Sequence, residues 1–417
     1  MQTDVRSWKI IMKWAHVLAL NVLSLRSLAF VILIAASSTI SAAGDRSDPV
    51  PDSTPAATRP YLITNDDQPP KVPTSSTLFR LAPNGLPEDA TRVSLGGVGA
   101  GGGYFAASRV SVLHSATAAC AFLSIGSSGE ISALDLHTQR DIGDFAAAST
   151  DSGRANGIGL VNNGTYLYAS FSSSNTIATF SVLSGCGLQF LGDITPLGKH
   201  QGNVKGMAVH GNVLVVAYGE GSIESFNVAA GVPVANDDLQ NSTGYALDRF
   251  PSAVDISPDG RFAIFGDMSS TATVEVSDIS SGKLKKTVLY NLGSQNDASN
   301  VLFSPDGSLI YVANTGSGKV TAAFFDTASG KVSLGCISET LKGFNNTWTF
   351  LAGPVTEQTS GTGSVLYLAE FGSPSSIAVI DVSSSGGQCS LKEKPASPIV
   401  AGSNSLLSIG MYPPRPF

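Results

Sequence analysis

A short pattern of a glycine turn followed by an apolar run recurs along this chain every 47 to 49 residues. The turn glycines are Gly164, Gly211, Gly260 and Gly307. The two clearest copies have a Ser-Pro-Asp-Gly turn, at residues 257–260 and 304–307. A fixed period of roughly 40 to 50 residues that is rich in short strands is typical of the blades of a β-propeller.

The stretch 299–341 shows what one complete unit contains. Its apolar runs are four to seven residues long and are bounded by turn formers, which predicts four strands, a to d. Five more units align with it, near residues 120–135, 154–195, 203–240, 252–292 and 346–395. Two incomplete units remain, Thr77–Leu81 at the start and Asn404–Gly410 at the end. We therefore predict an all-β fold, a seven-bladed β-propeller that is closed by N- and C-terminal strands in one blade and so has no free sheet edges in its ring.

The first 43 residues have the order of a secretory signal. Lys9, Lys13 and Arg26 precede the apolar run 28–36, and the small residues 41–43 follow. The alternative is an uncleaved membrane anchor, although the uninterrupted apolar run is about half of the roughly 20 residues that span a bilayer. We predict a signal peptide at 1–43 and a secreted or cell-surface protein.

The predicted domain boundaries follow from a change of composition. Residues 44–75 are rich in Pro, Asp, Ser and Thr and have no apolar period, which predicts a disordered linker. The propeller is then expected to occupy residues 76–417.

Cysteines and glycosylation sequons agree with the secretory route. An even number of cysteines in a secreted chain predicts two disulfides with three possible pairings, and buried free thiols are the alternative. The cysteines are Cys120, Cys186, Cys336 and Cys389. Acceptor triplets for N-glycosylation begin at Asn163, Asn241 and Asn345.

Charge and motif content narrow the classes of function. The net charge is −7, and no basic stripe is present, which argues against nucleic-acid binding. No pair of cysteines has CxxC spacing, so we expect no metal site. We also expect no cofactor, a monomer, and no membrane contact after signal cleavage.

The stretch Ser304–Asn314, Ser-Pro-Asp-Gly followed by Tyr-Val-Ala-Asn, resembles the lactonase family of seven-bladed propellers. That family includes 6-phosphogluconolactonases and fungal 3-carboxymuconate cyclases. The resemblance implies an enzyme, a cycloisomerase or a lactonase, that interconverts a carboxylated muconate and its lactone without a redox cofactor. Such chemistry needs a group that moves a proton and cations that hold carboxylates.

The candidate site residues come from the two kinds of loop that open on one face of a propeller. The d–a links and the b–c turns share a face because strand b returns antiparallel to strand a. On this face we predict that His200 or Glu220 moves the proton. The predicted substrate-binding residues are Arg154, Lys205, Arg249, Asp267, Asp297, Asn314 and Glu370.

A second hypothesis remains open, in which the protein is a non-catalytic secreted or cell-surface propeller that binds a protein or glycan partner. The blade entry Phe250–Ala253 carries Ser and Ala where the family resemblance leads us to expect Arg and His. Polar residues at strand entries also often satisfy backbone groups rather than bind a ligand. The ligand is thus either a small carboxylated lactone or such a partner.

Overall fold

The structure is a computed structural model. It describes residues 60–66, 72–99, 108–116, 118–147, 158–172, 174–196, 204–219, 221–241, 251–267, 272–293, 297–344, 350–351, 356–360, 363–371, 374–402 and 406–414. The chain divides into two compact units, 1–56 and 57–417, and all described residues belong to the second.

The described residues form seven antiparallel sheets. The chain starts with β1 (Tyr61–Asp66), β2 (Pro73–Leu81) and β3 (Pro87–Val98). Blade 1 contains β4 (Val110–His114), β5 (Ala119–Ile125), β6 (Glu130–Asp135) and β7 (Arg140–Ala146). Blade 2 contains β8 (Ile158–Asn162), β9 (Tyr166–Phe171), β10 (Thr176–Val182) and β11 (Leu188–Ile194). Blade 3 contains β12 (Val204–His210), β13 (Val213–Tyr218), β14 (Ser222–Asn227), β15 (Val234–Ala235) and β16 (Gln240–Asn241).

The second half of the chain repeats this arrangement. Blade 4 contains β17 (Pro251–Ile256), β18 (Phe262–Asp267), β19 (Thr273–Asp278) and β20 (Val288–Asn291). Blade 5 contains β21 (Ala298–Phe303), β22 (Leu309–Asn314), β23 (Lys319–Asp326) and β24 (Lys331–Ile337). Blade 6 contains β25 (Phe350–Leu351), β26 (Thr356–Ser360), β27 (Gly363–Phe371), β28 (Ser376–Ser385), β29 (Gln388–Glu393) and β30 (Ile399–Val400). The last strand is β31 (Leu406–Tyr412), and the only helical segment among the described residues is a 3₁₀ turn at Ser184–Cys186.

Blade 7 confirms the predicted closure by both ends of the chain. Its strand order is β3-β2-β1-β31, so β31 is strand a, and β1, β2 and β3 are strands b, c and d. Strand β1 pairs antiparallel with β31, with Leu62 opposite Met411 and Thr64 opposite Ile409.

The same blade corrects the predicted start of the propeller. The sheet begins at Tyr61, inside the segment 44–75 that we predicted as a disordered linker, so the boundary at residue 76 is too late. The apolar run of β1 is short and is flanked by Pro60 and by Pro69. It pairs on one side with β2 and on the other with β31, which lies more than 300 residues away, where no local pattern reveals it. The signal peptide at 1–43 and the first part of the linker lie outside the described residues.

Seven separate apolar clusters hold the ring together, one between each pair of neighbouring blades. Strand β22 shows how the sequence produces them. Leu309, Tyr311 and Ala313 pack toward blade 6, whereas the alternate residues Ile310 and Val312 pack toward blade 4. Successive side chains of a strand point to opposite faces, and both faces of a blade are covered. A strand that is covered on both faces therefore requires an unbroken apolar run.

The Ser-Pro-Asp-Gly turns join strands a and b, and their glycines also lie against the preceding blade. Gly260 and Gly307 have φ values of +71° and +72°, which glycine adopts without steric cost. A Cβ atom on Gly260 would lie 2.5 Å from Nδ1 of His210, so the contact with blade 3 also requires glycine. Asp306 accepts hydrogen bonds from the Ser304 hydroxyl at 2.6 Å and from the Ser308 backbone N–H at 3.0 Å. Its role is therefore that of a turn former.

Both predicted disulfides are present, and each joins neighbouring blades. Cys120 in β5 is bonded to Cys186 in the 3₁₀ turn of blade 2. Cys336 in β24 is bonded to Cys389 in β29, which links blades 5 and 6. The four cysteines leave no free thiol, so the alternative of buried free thiols is excluded.

Candidate functional site at the b–c end of the channel

The strand register brings the starts of strands a and the ends of strands b to one face, which we call the b–c end. In blade 4, Pro251 at the start of β17 pairs with Asp267 at the end of β18. In blade 5, Ala298 at the start of β21 pairs with Asn314 at the end of β22. Residues that open strand a and residues that close strand b are therefore neighbours.

In four blades a polar residue lies at the end of strand b or one residue before it, and in each it is buried and hydrogen-bonded to strand c of the same blade. Asp267 accepts a bond of 2.9 Å from the Thr273 hydroxyl, and the Asn314 amide donates one of 3.0 Å to the Thr321 hydroxyl. Glu370 accepts a bond of 2.5 Å from the Ser376 hydroxyl. These side chains tie strands b and c together just before the turn between them.

Blade 7 has the most extensive of these pairs. Asp66 accepts bonds of 2.7 Å from the Thr64 hydroxyl, 2.7 Å from the Thr77 hydroxyl and 3.2 Å from the Ser75 hydroxyl. In blade 3 the arrangement is inverted. Strand b ends in Tyr218, whose hydroxyl donates a bond of 2.8 Å to the carboxylate of Glu224 in strand c.

Three of the predicted substrate-binding residues are buried at the ends of their strands. Asp267, Asn314 and Glu370 are at most 1% exposed, so they lie within their blades and not on an open surface. Their hydrogen bonds give them a structural role in shaping the b–c end. Contact between these three residues and a ligand stays a prediction.

Burial also changes the acidity of the carboxyl groups at this end. It raises the pKa of Glu370 to about 7, and the charge of Glu393 adds to the rise, whereas the Ser376 hydrogen bond opposes it. Burial likewise raises the pKa values of Asp66 and Glu224. Gly343, which follows blade 5, packs so closely on the Glu370 carboxyl that a Cβ atom would not fit between them. Burial therefore favours the protonated form of Glu370 more than it would for an exposed glutamate.

Two more predicted residues lie at the b–c end. Lys205 is the second residue of β12 and is half-buried. Asp297 directly precedes β21 and is half-buried, and burial raises its pKa. Its backbone carbonyl accepts a bond of 2.9 Å from Thr315, which fixes it next to the end of strand b. The remaining predicted residues, Arg154, His200, Glu220 and Arg249, lie outside the described residues.

The sequence reasoning missed Arg109, which directly precedes β4 in blade 1. Arg109 is 1% exposed. Its backbone N–H donates a 3.0 Å hydrogen bond to the Ser408 hydroxyl, and its backbone carbonyl accepts one of 3.3 Å from the Asn65 side-chain amide. Arg109 therefore sits where blade 1 meets the closing blade. A cation before an apolar run was a usable signal, but the first unit was aligned only from strand b onward. Asp66 and Glu224 were missed as well, because β1 was assigned to the linker and strand c was not searched.

The three predicted glycosylation sites lie in different parts of the chain. The Asn163 side chain is half-buried, and its amide oxygen accepts a 2.9 Å bond from the Tyr166 N–H. Its amide nitrogen donates a 3.2 Å bond to the Gly211 carbonyl of blade 3. Asn241 is in β16, and Asn345 lies outside the described residues.

The described residues contain no group of three or more His, Cys, Asp or Glu side chains that is placed to hold a metal ion. None of their helical segments is long and apolar enough to cross a bilayer.

The sequence of this chain matches a known protein family. The lactonase family of seven-bladed β-propellers matches residues 117–398, which is well over half of the chain. The chain belongs to this family. The match confirms the resemblance that the Ser304–Asn314 stretch indicated.

Solved structures agree on the fold of this lactonase-family chain. The periplasmic gluconolactonase of Pseudomonas aeruginosa matches with a TM-score of 0.62 and 15% identity, over 84% of this chain and 99% of that one. A candidate 6-phosphogluconolactonase from Bacteroides fragilis matches with a TM-score of 0.61 and 15% identity, over 87% of this chain and 99% of that one. At this identity the likeness concerns the fold. No curated protein sequence matches the chain.

Proposed function

We propose that this protein is a secreted enzyme that interconverts a carboxylated muconate and its lactone, as 3-carboxymuconate cyclases do. The 6-phosphogluconolactonases of the same family also act on a lactone, but theirs carries a phosphate group. The observation that carries the proposal is the family match across residues 117–398. The names of two structural neighbours, a gluconolactonase and a candidate 6-phosphogluconolactonase, support lactone chemistry in general.

The proposed chemistry transfers protons and involves no oxidation or reduction. In ring opening, water adds to the lactone carbonyl and gives up a proton, the bond to the ring oxygen breaks, and that oxygen takes up a proton. In ring closure by a cyclase, a carboxylate oxygen adds to one alkene carbon, and a proton is delivered to the neighbouring carbon. Both directions need one residue that exchanges a proton, for which His200 and Glu220 are our candidates.

Cations at the b–c end supply the second requirement. Lys205 lies at the start of β12, on the face where Arg154 and Arg249 are also expected from their positions before strand a. Ammonium and guanidinium groups form charge-assisted hydrogen bonds with substrate carboxylates. The half-buried position of Lys205 favours such a bond, because partial removal of water strengthens it.

The proposed secretion rests on two independent features. The N-terminal 43 residues have the sequence of a signal peptide. The two disulfides are of the kind that forms and persists in oxidising compartments.

A second function has its own support. Asp267, Asn314 and Glu370 use their side chains within the blades, which leaves fewer polar groups for a substrate. A non-catalytic propeller that binds a protein or a glycan through its loops would keep this pattern.

The deciding experiment is a turnover assay of the mature chain, from Gly44 onward, on gluconolactones and carboxymuconolactones. We expect Lys205→Ala and Arg249→Ala each to lower kcat/KM about ten- to a hundred-fold, since a charge-assisted hydrogen bond is typically worth about 1.5–3 kcal/mol. Lys286→Ala is the matched control, because Lys286 is exposed in the link between strands c and d of blade 4. If folded wild-type protein turns over none of these lactones, the proposed enzymatic function is refuted and the binding function remains.

A further inference from the structure

The two disulfides of this chain differ in their exposure to solvent. Cys120 and Cys186 are 0% and 2% exposed, and both are members of the apolar cluster between blades 1 and 2. Cys336 and Cys389 are partly exposed and pack against the outside of the cluster between blades 5 and 6. Thiol–disulfide exchange requires access to a sulfur atom, so a dissolved thiol has a route to the second disulfide but not to the first.

The positions of the cysteines in their sheets explain this difference. Cys120 lies in β5, which pairs with β4 on one side and with β6 on the other. Cys336 lies in β24 and Cys389 in β29, which are the outer strands of blades 5 and 6. The second disulfide therefore joins the outer edges of two blades, where no further strand covers it.

A glycine beside Cys336 leaves one of the two sulfur atoms without a covering side chain. Gly335 lies where the register between β23 and β24 shifts, and it is itself partly exposed. A Cβ atom on Gly335 would lie 2.8 Å from the Sγ atom of Cys389 and 2.7 Å from the Ala322 carbonyl oxygen, so no larger residue fits. The Cys389 sulfur thus lies directly against the backbone of β24, and residue 335 does not screen it from solvent.

Other contacts hold blades 5 and 6 together when this disulfide is open. The Lys342 ammonium group donates hydrogen bonds of 2.8 Å to the Lys394 carbonyl and 3.2 Å to the Ser397 carbonyl. The Lys342 backbone N–H donates one of 2.9 Å to the Glu393 carboxylate. The apolar cluster between the two blades consists of buried side chains from their inner strands and remains in place as well. The disulfide can therefore open and re-form without unfolding of the ring.

We propose that Cys336–Cys389 is a thiol–disulfide exchange site whose reaction partner is a small thiol or dithiol, and that Cys120–Cys186 is closed to the same reagent. A thiolate of the reductant attacks one of the two sulfur atoms, the S–S bond breaks, and the other sulfur leaves as a thiolate that takes up a proton. A second thiol of the reductant then resolves the mixed disulfide. Two reductant thiols are thereby oxidised to a disulfide, and the two cysteines are reduced. This reaction goes beyond the proposed lactone chemistry and does not depend on it.

The test is timed alkylation of the folded, mature chain in the presence of reduced glutathione or dithiothreitol. Iodoacetamide blocks the thiols that have formed at each time, and peptide mass spectrometry gives the labelled fraction of each cysteine. We expect Cys336 and Cys389 to be labelled together and at least about tenfold faster than Cys120 and Cys186, because exchange follows access. Equal rates for the two disulfides, or faster labelling of Cys120 and Cys186, would overturn the proposal.

Two controls separate access in the folded protein from unfolding. The circular dichroism spectrum should not change while Cys336 and Cys389 become labelled, and loss of the spectrum at the rate of labelling would contradict the proposal. In urea-unfolded protein the two disulfides should react at similar rates, and a difference that persists there would show that the fold does not cause it.

The double variant Cys336→Ser/Cys389→Ser shows whether the fast reaction belongs to this disulfide. The variant should stay folded and show no labelling during the time in which the wild-type pair reacts. Labelling of Cys120 and Cys186 on that timescale in the folded variant would contradict the assignment. Lactone turnover is not measured in any of these experiments, so their outcome is independent of the proposed enzyme.

Discussion

Blade 5 and blade 7 have the same four-strand architecture but very different chain connectivity. Blade 5 is one continuous stretch, β21 to β24, with short turns. Blade 7 joins β31 to β1, strands from opposite ends of the sequence. Both nevertheless end strand b in a buried polar residue that bonds to a strand c hydroxyl, Asn314 in blade 5 and Asp66 in blade 7. The strand pairing and the packing between blades thus define a blade, whatever the chain connectivity.

The two blades differ in what fixes them to their neighbours. A disulfide joins blade 5 to blade 6, and the second disulfide joins blades 1 and 2. Blade 7 carries no cysteine and is held by its strand pairing, its apolar contacts and hydrogen bonds such as that from the Tyr367 hydroxyl to the Gly85 carbonyl, at 2.7 Å. The closing blade is therefore where loss of a strand should matter most.

The largest expected effect is that of deleting residues 403–417. The deletion removes β31 and with it the buried side chains of Leu406, Ile409, Met411 and Tyr412. At about 1.5–3 kcal/mol for each large apolar side chain, the loss is about 6–12 kcal/mol, which is comparable with the whole stability of a typical domain. We expect no folded, soluble protein, as measured by yield and by circular dichroism.

The control deletion removes only residues 415–417 and leaves β31 intact, so its yield and melting temperature should match those of the full chain. A 403–417 deletion that melts like the full chain would show that blade 7 does not close the ring in the way that its pairing indicates.

A smaller effect on stability is expected from the polar residue near the end of strand b. This residue is the neutral Asn314 in blade 5 and the acidic Glu370 in blade 6. The pKa of Glu370 is raised from 4.5 to about 7 by burial. Its contribution to stability is therefore fully present below pH 4.5 and is lost as the pH rises through 7. The shift corresponds to about 3 kcal/mol at most.

Glu370→Gln removes this titration. Relative to wild type, the variant should gain stability between pH 5 and pH 8, by up to about 3 kcal/mol, in urea unfolding at both pH values. Asp66 and Glu224 shift in the same direction, so the quantity to compare is the difference between variant and wild type. Glu339→Gln, at an exposed position, is the control and should give the same difference at both pH values. A Glu370→Gln difference that does not depend on pH would mean that the carboxyl is not titrating in this range.

The same comparison shows which features are readable from the sequence. The Ser-Pro-Asp-Gly turn and the apolar run at 304–313 predict blade 5, because its four strands and the turns between them lie in one continuous stretch of sequence. Strand β1 was missed because the apolar run Tyr61–Ile63 is short and one of its two pairing partners, β31, comes from the other end of the chain. The register between β1 and β31 is set only when the ring closes, because the two strands come from opposite ends of the chain.

The sequence indicated which end of the strands these polar residues lie on but not their surroundings. It assigned Asp267, Asn314 and Glu370 to the b–c turns, whereas the structure has them inside strands b, at or next to the strand ends. The burial of Glu370, which raises its pKa, includes a close contact with Gly343 in the link between blades 5 and 6. A cavity in the central channel was not predicted either, since its wall combines side chains from six blades.

Amide hydrogen exchange of the unmodified protein tests most directly whether the composite blade is equivalent to a continuous one. Amides of central strands exchange only through large-scale opening, whereas unpaired termini exchange at once. We predict that the amides of β1 and β31 are as slow as those of β22 and β23. Rapid exchange in β1 and β31, with blade 5 still protected, would contradict closure of the ring by both ends of the chain.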